Sequence, residues 1–168
     1  MSTKSSGIIT SLLTLVAACL IGCGSDPADV AGSYTIAVTN ADNGCNFTDW
    51  TVGDTTEGIR VSITQDGASA TAVVEGITGT FLTLALGSNQ YNGDVDGNSL
   101  YLTLYGTTTA TEGNCTFTYN SIIDAGISGD VLTGDIRYEA ATVGNPDCAA
   151  IEGCVTLQHF NGTRPPSL

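Results

Sequence analysis

From Gly32 onward, run after run of this chain places an apolar residue at every second position. Tyr34, Ile36 and Val38 alternate with Thr35, Ala37 and Thr39, and Ile59, Val61 and Ile63 with Arg60, Ser62 and Thr64. Phe117 and Tyr119 alternate with Thr116 and Thr118, and Val155 and Leu157 with Thr156 and Gln158. A period of two with β-branched residues makes half-buried strands, because successive side chains of a strand point to opposite faces. No segment carries a helical period beyond a single turn at Asp147–Glu152. The fold class is therefore all-β, with threonine on the polar face as strands prefer.

The turns fix the direction of the strands. Asp66-Gly67 separates Ile59–Gln65 from Ala68–Glu75, and Asp96-Gly97 separates Tyr91–Val95 from Ser99–Gly106. Such pairs reach positive φ at low cost and close tight hairpins. A short pattern recurs at 77–82, 95–100 and 127–132: a β-former, a small polar residue, Gly, two residues, then Leu. It predicts three hairpin corners, at uneven spacing, rather than a solenoid. The result is an antiparallel up-and-down meander of about 8–9 strands. Such a sheet must cover its edges, by closing into a barrel or folding into a two-sheet β-sandwich. About eight strands leave room for side chains or for one small ligand.

The first 31 residues are of another kind. Met1-Ser2-Thr3-Lys4 is a short basic start, and Gly7 to Gly22 is almost uncharged and rich in Leu, Ile, Val and Ala. The run is shorter than the roughly 20 residues of a spanning helix, which favours a signal peptide over 1–22 rather than a short membrane anchor. Leu20-Ile21-Gly22-Cys23 resembles the lipobox of bacterial lipoproteins. The resemblance implies that Cys23 is the lipidation site, cleaved to become the N-terminus, and that Cys19 leaves with the signal. Gly24 and Ser25 stand where an Asp would favour the inner membrane, so the resemblance implies an outer-membrane lipoprotein of the bacterial cell envelope. Residues 23–31 then form the lipidated cysteine and tether, and 32–168 a single β-barrel domain. The implied partner is the lipid bilayer, through the acyl chains on Cys23.

All 17 acidic residues follow Cys23, whereas the only basic ones that do are Arg60, Arg137, Arg164 and His159. With His neutral the mature charge is 3 − 17 = −14. That surface repels phosphate backbones, which argues against nucleic acid, and repels anionic head groups, which leaves the acyl chains as the membrane contact. Four cysteines remain, Cys45, Cys115, Cys148 and Cys154, an even number in an exported domain and hence two disulfides. The paired short spacings of a zinc site are missing. The short loop between Cys148 and Cys154 favours joining them, which leaves Cys45 with Cys115.

Gly32-Ser33-Tyr34 at the first strand and Arg164 after the last resemble the ends of lipocalins, where a Gly-x-Trp begins the first strand and an Arg packs across the ring. Tyr stands in place of Trp. The resemblance implies a lipocalin-like closed barrel, with Gly32, Tyr34 and Arg164 at the closure. It also implies a carrier of a small apolar or amphipathic ligand. The alternative is an envelope structural or interaction lipoprotein with a filled core. An apolar void of roughly 300 Å³ or more separates the two.

Candidate chemistry is sparse. His159, the only histidine, shares parity with Val155 and Leu157 and with Tyr34 forms the pair of candidate ligand contacts; the plainer reading of His159 is a strand-end residue beside Asn161-Gly162. Asp94, Asp96 and Asn98 fall short of a calcium loop, with Gly97 misplaced and Tyr105 at the twelfth position. No Gly-x-Ser-x-Gly marks a serine hydrolase, and no motif supports an enzyme, a cofactor or a metal.

Overall fold

A computed structural model describes residues 26–165. Cys23, the segment 1–22 and Gly24-Ser25 lie outside the described residues. The chain forms nine strands: β1 (Gly32–Asn43), β2 (Thr55–Asp66), β3 (Ser69–Val74), β4 (Gln90–Asp96), β5 (Ser99–Leu104), β6 (Ala110–Glu112), β7 (Cys115–Ser128), β8 (Val131–Thr142) and β9 (Val155–Thr163). One helix, α1 (Gly76–Leu86), joins β3 to β4. All pairings are antiparallel. β1 pairs with both β2 and β9, and β5 with both β4 and β7, so eight strands close on themselves. The short β6 lies outside the ring, along the first residues of β7. The antiparallel meander is the one that the alternation and turns predict, and it closes as a barrel consistent with the lipocalin resemblance rather than as a two-sheet sandwich.

Three of the tight corners stand where the sequence places them. Gly67, Gly97 and Gly129 take φ values of 60°, 54° and 61° between β2 and β3, β4 and β5, and β7 and β8. The fourth expected corner, Ile77–Leu82, is instead the middle of α1. Glycines with positive φ bracket this helix: Gly76 turns the chain out of β3, and Gly87 ends it in the left-handed conformation. Tertiary contact holds α1, since its threonines and glycines favour a helix poorly. Gly79 is buried so close to the end of β3 that a Cβ there would collide with the Val74 carbonyl oxygen. The single turn expected at Asp147–Glu152 begins one residue earlier, as a 3-10 turn at Pro146–Cys148, where the Asn145 side chain accepts from the Asp147 amide.

One end of the barrel is closed. Val30, Tyr34, Val95 and Ile127 are buried there. The residues before β1, expected as tether, are partly tied to this floor. The Ala28 amide donates to the Gly97 carbonyl, and the Gln65 side chain accepts from the Val30 amide and donates to the Ala28 carbonyl. At the other end, the mouth, both disulfides lie among the strand ends. They join Cys45 to Cys154 and Cys115 to Cys148, which corrects the expected Cys148–Cys154 and Cys45–Cys115. Strand pairing decides the partners: the Gly44 amide bonds to the Val155 carbonyl, so the end of β1 brings Cys45 beside the start of β9.

Candidate ligand-binding site

The inward residues of the upper barrel are mostly Ile, Val, Leu and Ala, too small to meet across the centre. They leave an open cavity of about 460 Å³. Its wall runs from Ile36 and Val38 of β1, through Ile59, Val61 and Ile63 of β2, to Ile136 of β8 and Phe160 of β9. α1 leans over the opening and adds Ile77, Phe81 and Leu82. The wall contains no Asp, Glu, Lys or Arg, so the acidic charge of the chain lies entirely on other surfaces.

A few polar groups interrupt this apolar surface. The Tyr91 hydroxyl and Ser121 Oγ are 2.9 Å apart. Tyr138 donates its hydroxyl to Gln158 Oε1 at 3.0 Å, and Gln158 Nε2 donates onward to Asn40 Oδ1 at 2.8 Å. Burial pushes the Tyr91 phenol up to about 12, only partly opposed by its bond to Ser121. Burial, and next the neighbouring Tyr91, also raises Tyr138. Both phenols are neutral at physiological pH. The cavity therefore offers neutral hydrogen-bonding groups on a mostly hydrocarbon wall, with no charge to pair with a ligand ion.

The two expected ligand contacts lie elsewhere. Tyr34 is buried in the floor, below the cavity, and donates its hydroxyl to the Val30 carbonyl at 3.1 Å. His159 is on the outer face of β9, with Nδ1 2.6 Å from Asp135 Oδ1 and the ring largely in solvent. The phase of β9 is the reverse of the hydropathy reading: Thr156 and Phe160 are buried and Gln158 lines the cavity, whereas Val155 and His159 face outward. Thr156 is accommodated inside because its hydroxyl accepts from the Cys45 amide.

The expected closure is present. Gly32 opens β1 at a φ of 150°, where a Cβ would touch the Arg164 side chain. The Arg164 guanidinium stands over the Tyr34 ring and donates to the carbonyls of Ala31 and Asp29 and to Asp130 Oδ1. Asp94 is a cross-strand partner of Ser69, and among the described residues no group of three or more His, Cys, Asp or Glu is placed to hold a metal ion.

Alternation and motifs do not single out the polar residues of the wall, Tyr91, Tyr138 and Gln158, or α1 at the mouth. Their available signal was positional, since each wall residue keeps parity with an inward apolar neighbour on its strand. The chain matches no family model, no curated protein and no solved structure. The class rests on the barrel itself, a closed eight-stranded antiparallel cup with an uncharged cavity.

Proposed function

We propose that the protein is a membrane-anchored exported lipoprotein whose barrel carries one small, uncharged apolar or amphipathic ligand. The cavity carries this reading: about 460 Å³, open at one end, with no ionisable group in its wall other than two phenols held neutral. It exceeds the roughly 300 Å³ at the lower end of ligand pockets, which favours a carrier over a lipoprotein with a filled core. The two disulfides agree with an exported, oxidising setting. The resemblance of Leu20–Cys23 to a lipobox supports anchoring through Cys23.

Native mass spectrometry of the full chain carrying Cys23→Ser, purified without detergent from the envelope, tests the carrier reading. The expected spectrum shows a co-purified neutral molecule at one per chain, lost when Ala72→Phe fills the cavity. A ligand-free protein that also takes up no neutral apolar probe overturns it.

A further inference from the structure

Beside the barrel cavity, on the β6–β7 side of α1, lies a second recess of about 470 Å³. Phe47, Trp50, Phe117 and Tyr119 give it a wall richer in aromatic rings than the barrel interior. Phe81, Leu82 and Tyr138 front both spaces and divide them. We propose that this recess is a second binding site, for a flat, uncharged ring compound, distinct from the barrel cavity.

The rings are arranged to receive such a molecule. Phe47 meets Trp50, Tyr119 and Tyr138 edge-on, with centroids 5.8, 4.9 and 5.9 Å apart, and Phe117 meets Tyr119 edge-on at 5.5 Å. Each edge-to-face pair covers one face of one ring, and the remaining aromatic surface toward the recess favours offset or edge-to-face stacking of one more ring. The four wall aromatics are each only half-buried, so a ligand would remove further apolar surface from water. No charged side chain lines the recess, which excludes compensation of a ligand charge.

The loop that presents Phe47 and Trp50 is fixed in advance. Asn46 and Asp49 adopt left-handed φ values of 55° and 58°, which Asn and Asp tolerate better than other non-glycine residues. Hydrogen bonds and a disulfide then fix the loop. Asn43 brackets Phe47, accepting from its amide at 2.8 Å and donating to its carbonyl at 2.9 Å. Trp50 Nε1 donates to the Ala41 carbonyl at 3.0 Å, and the Cys45–Cys154 disulfide anchors the loop to β9. Rings fixed before binding favour stacking, because ordering them costs nothing when the ligand arrives.

Trp50 is the only tryptophan, so the site carries its own reporter. The probe is N-phenyl-1-naphthylamine, an uncharged ring compound, titrated into the full chain carrying Cys23→Ser. The expected result is about two equivalents bound per chain, with Trp50 becoming shielded from acrylamide as the recess fills. Ala85→Phe, an exposed change on α1 that fills the recess, should remove one equivalent and the shielding. Phe47→Ala should weaken the same equivalent. Ala72→Phe, inside the barrel, should remove the other equivalent and leave the shielding intact, so failure of the barrel site and of this one are told apart. Binding that leaves Trp50 open to acrylamide, or an unchanged number of equivalents and unchanged shielding in Ala85→Phe, overturns the proposal; a single equivalent that shields Trp50 and is lost on Ala85→Phe overturns the barrel site instead.

Discussion

Arg164 and Tyr34, 130 positions apart in sequence, meet at the floor of the barrel with the guanidinium carbon 5.7 Å from the centre of the phenol ring. The contact ties the residue that follows β9 to the strand that begins the barrel, exactly where the meander must join its ends. The same guanidinium reaches two backbone carbonyls and Asp130, so it also fastens the segment before β1 and the β7–β8 corner.

Arg164→Ala should therefore destabilise the fold by about 2–4 kcal/mol, from a stacked cation and several charge-assisted hydrogen bonds lost at a mostly buried side chain. Arg164→Lys should recover less than half, because an ammonium lacks the planar fork that serves all these partners. Urea denaturation of both variants measures it; a change under 1 kcal/mol for Ala refutes the role.

Gly79→Ala tests how α1 is held. On an exposed helix the change would stabilise by about 1 kcal/mol. Here the added Cβ meets the Val74 carbonyl, so the melting temperature should fall and α1 should lose protection from hydrogen exchange while the barrel strands keep theirs.

The disulfide pairing has a direct chemical check. Non-reducing peptide mapping should join Cys45 to Cys154 and Cys115 to Cys148. Replacing Cys45 and Cys154 together by Ala should cost up to about 5 kcal/mol on loop entropy, and replacing Cys115 and Cys148 up to about 4, since their closed loops span 109 and 33 residues.

Stability should fall in alkali. Tyr91 ionises near 10 when unfolded and at about 12 when folded, so between those values the folded state holds the extra proton and stability declines as pH rises. The loss from Tyr91 alone should reach about 2–3 kcal/mol by pH 12. Tyr138 adds in the same direction. Tyr91→Phe should flatten the decline in denaturation midpoints recorded from pH 9 to 12.

Cys23→Ser should abolish acylation and release the protein from membranes, since one thiol is the proposed acceptor for the lipid. Fractionation at high salt with mass measurement of the N-terminal peptide decides it; a variant that still pellets with membranes has another anchor.

The barrel was legible in sequence because its two signals are local. Alternation at Tyr34–Val38 and Ile59–Ile63 sets the faces of β1 and β2, and Asp-Gly corners fix the hairpins. The same locality misled at α1, where Ile77–Leu82 repeats the hairpin-corner pattern. Its helical state depends on Gly79 meeting Val74, a contact invisible in the sequence order. On β9 the buried residue is polar: Thr156 is satisfied inside by a backbone amide from 111 positions away, so hydropathy assigns the wrong phase and sends His159 inward. The disulfides failed for a related reason, since spacing favours the short Cys148–Cys154 loop while strand order places Cys45 at Cys154. The cavity itself follows from side-chain sizes summed across eight strands, which no single segment reveals.

The hydrogen bonds that bind Ala28 and Val30 to the floor give the molecule an orientation as well as a seal. On the proposed anchoring at Cys23, five residue steps separate the lipid attachment from the tied Ala28, a span of at most about 18 Å. A barrel of 12-residue strands stands about 30 Å tall at ordinary tilt. On that proposed anchoring, the cup is held by its base, its rim stands a barrel's height from the bilayer, and the proposed cargo exchanges on the aqueous side rather than sideways into the anchoring membrane.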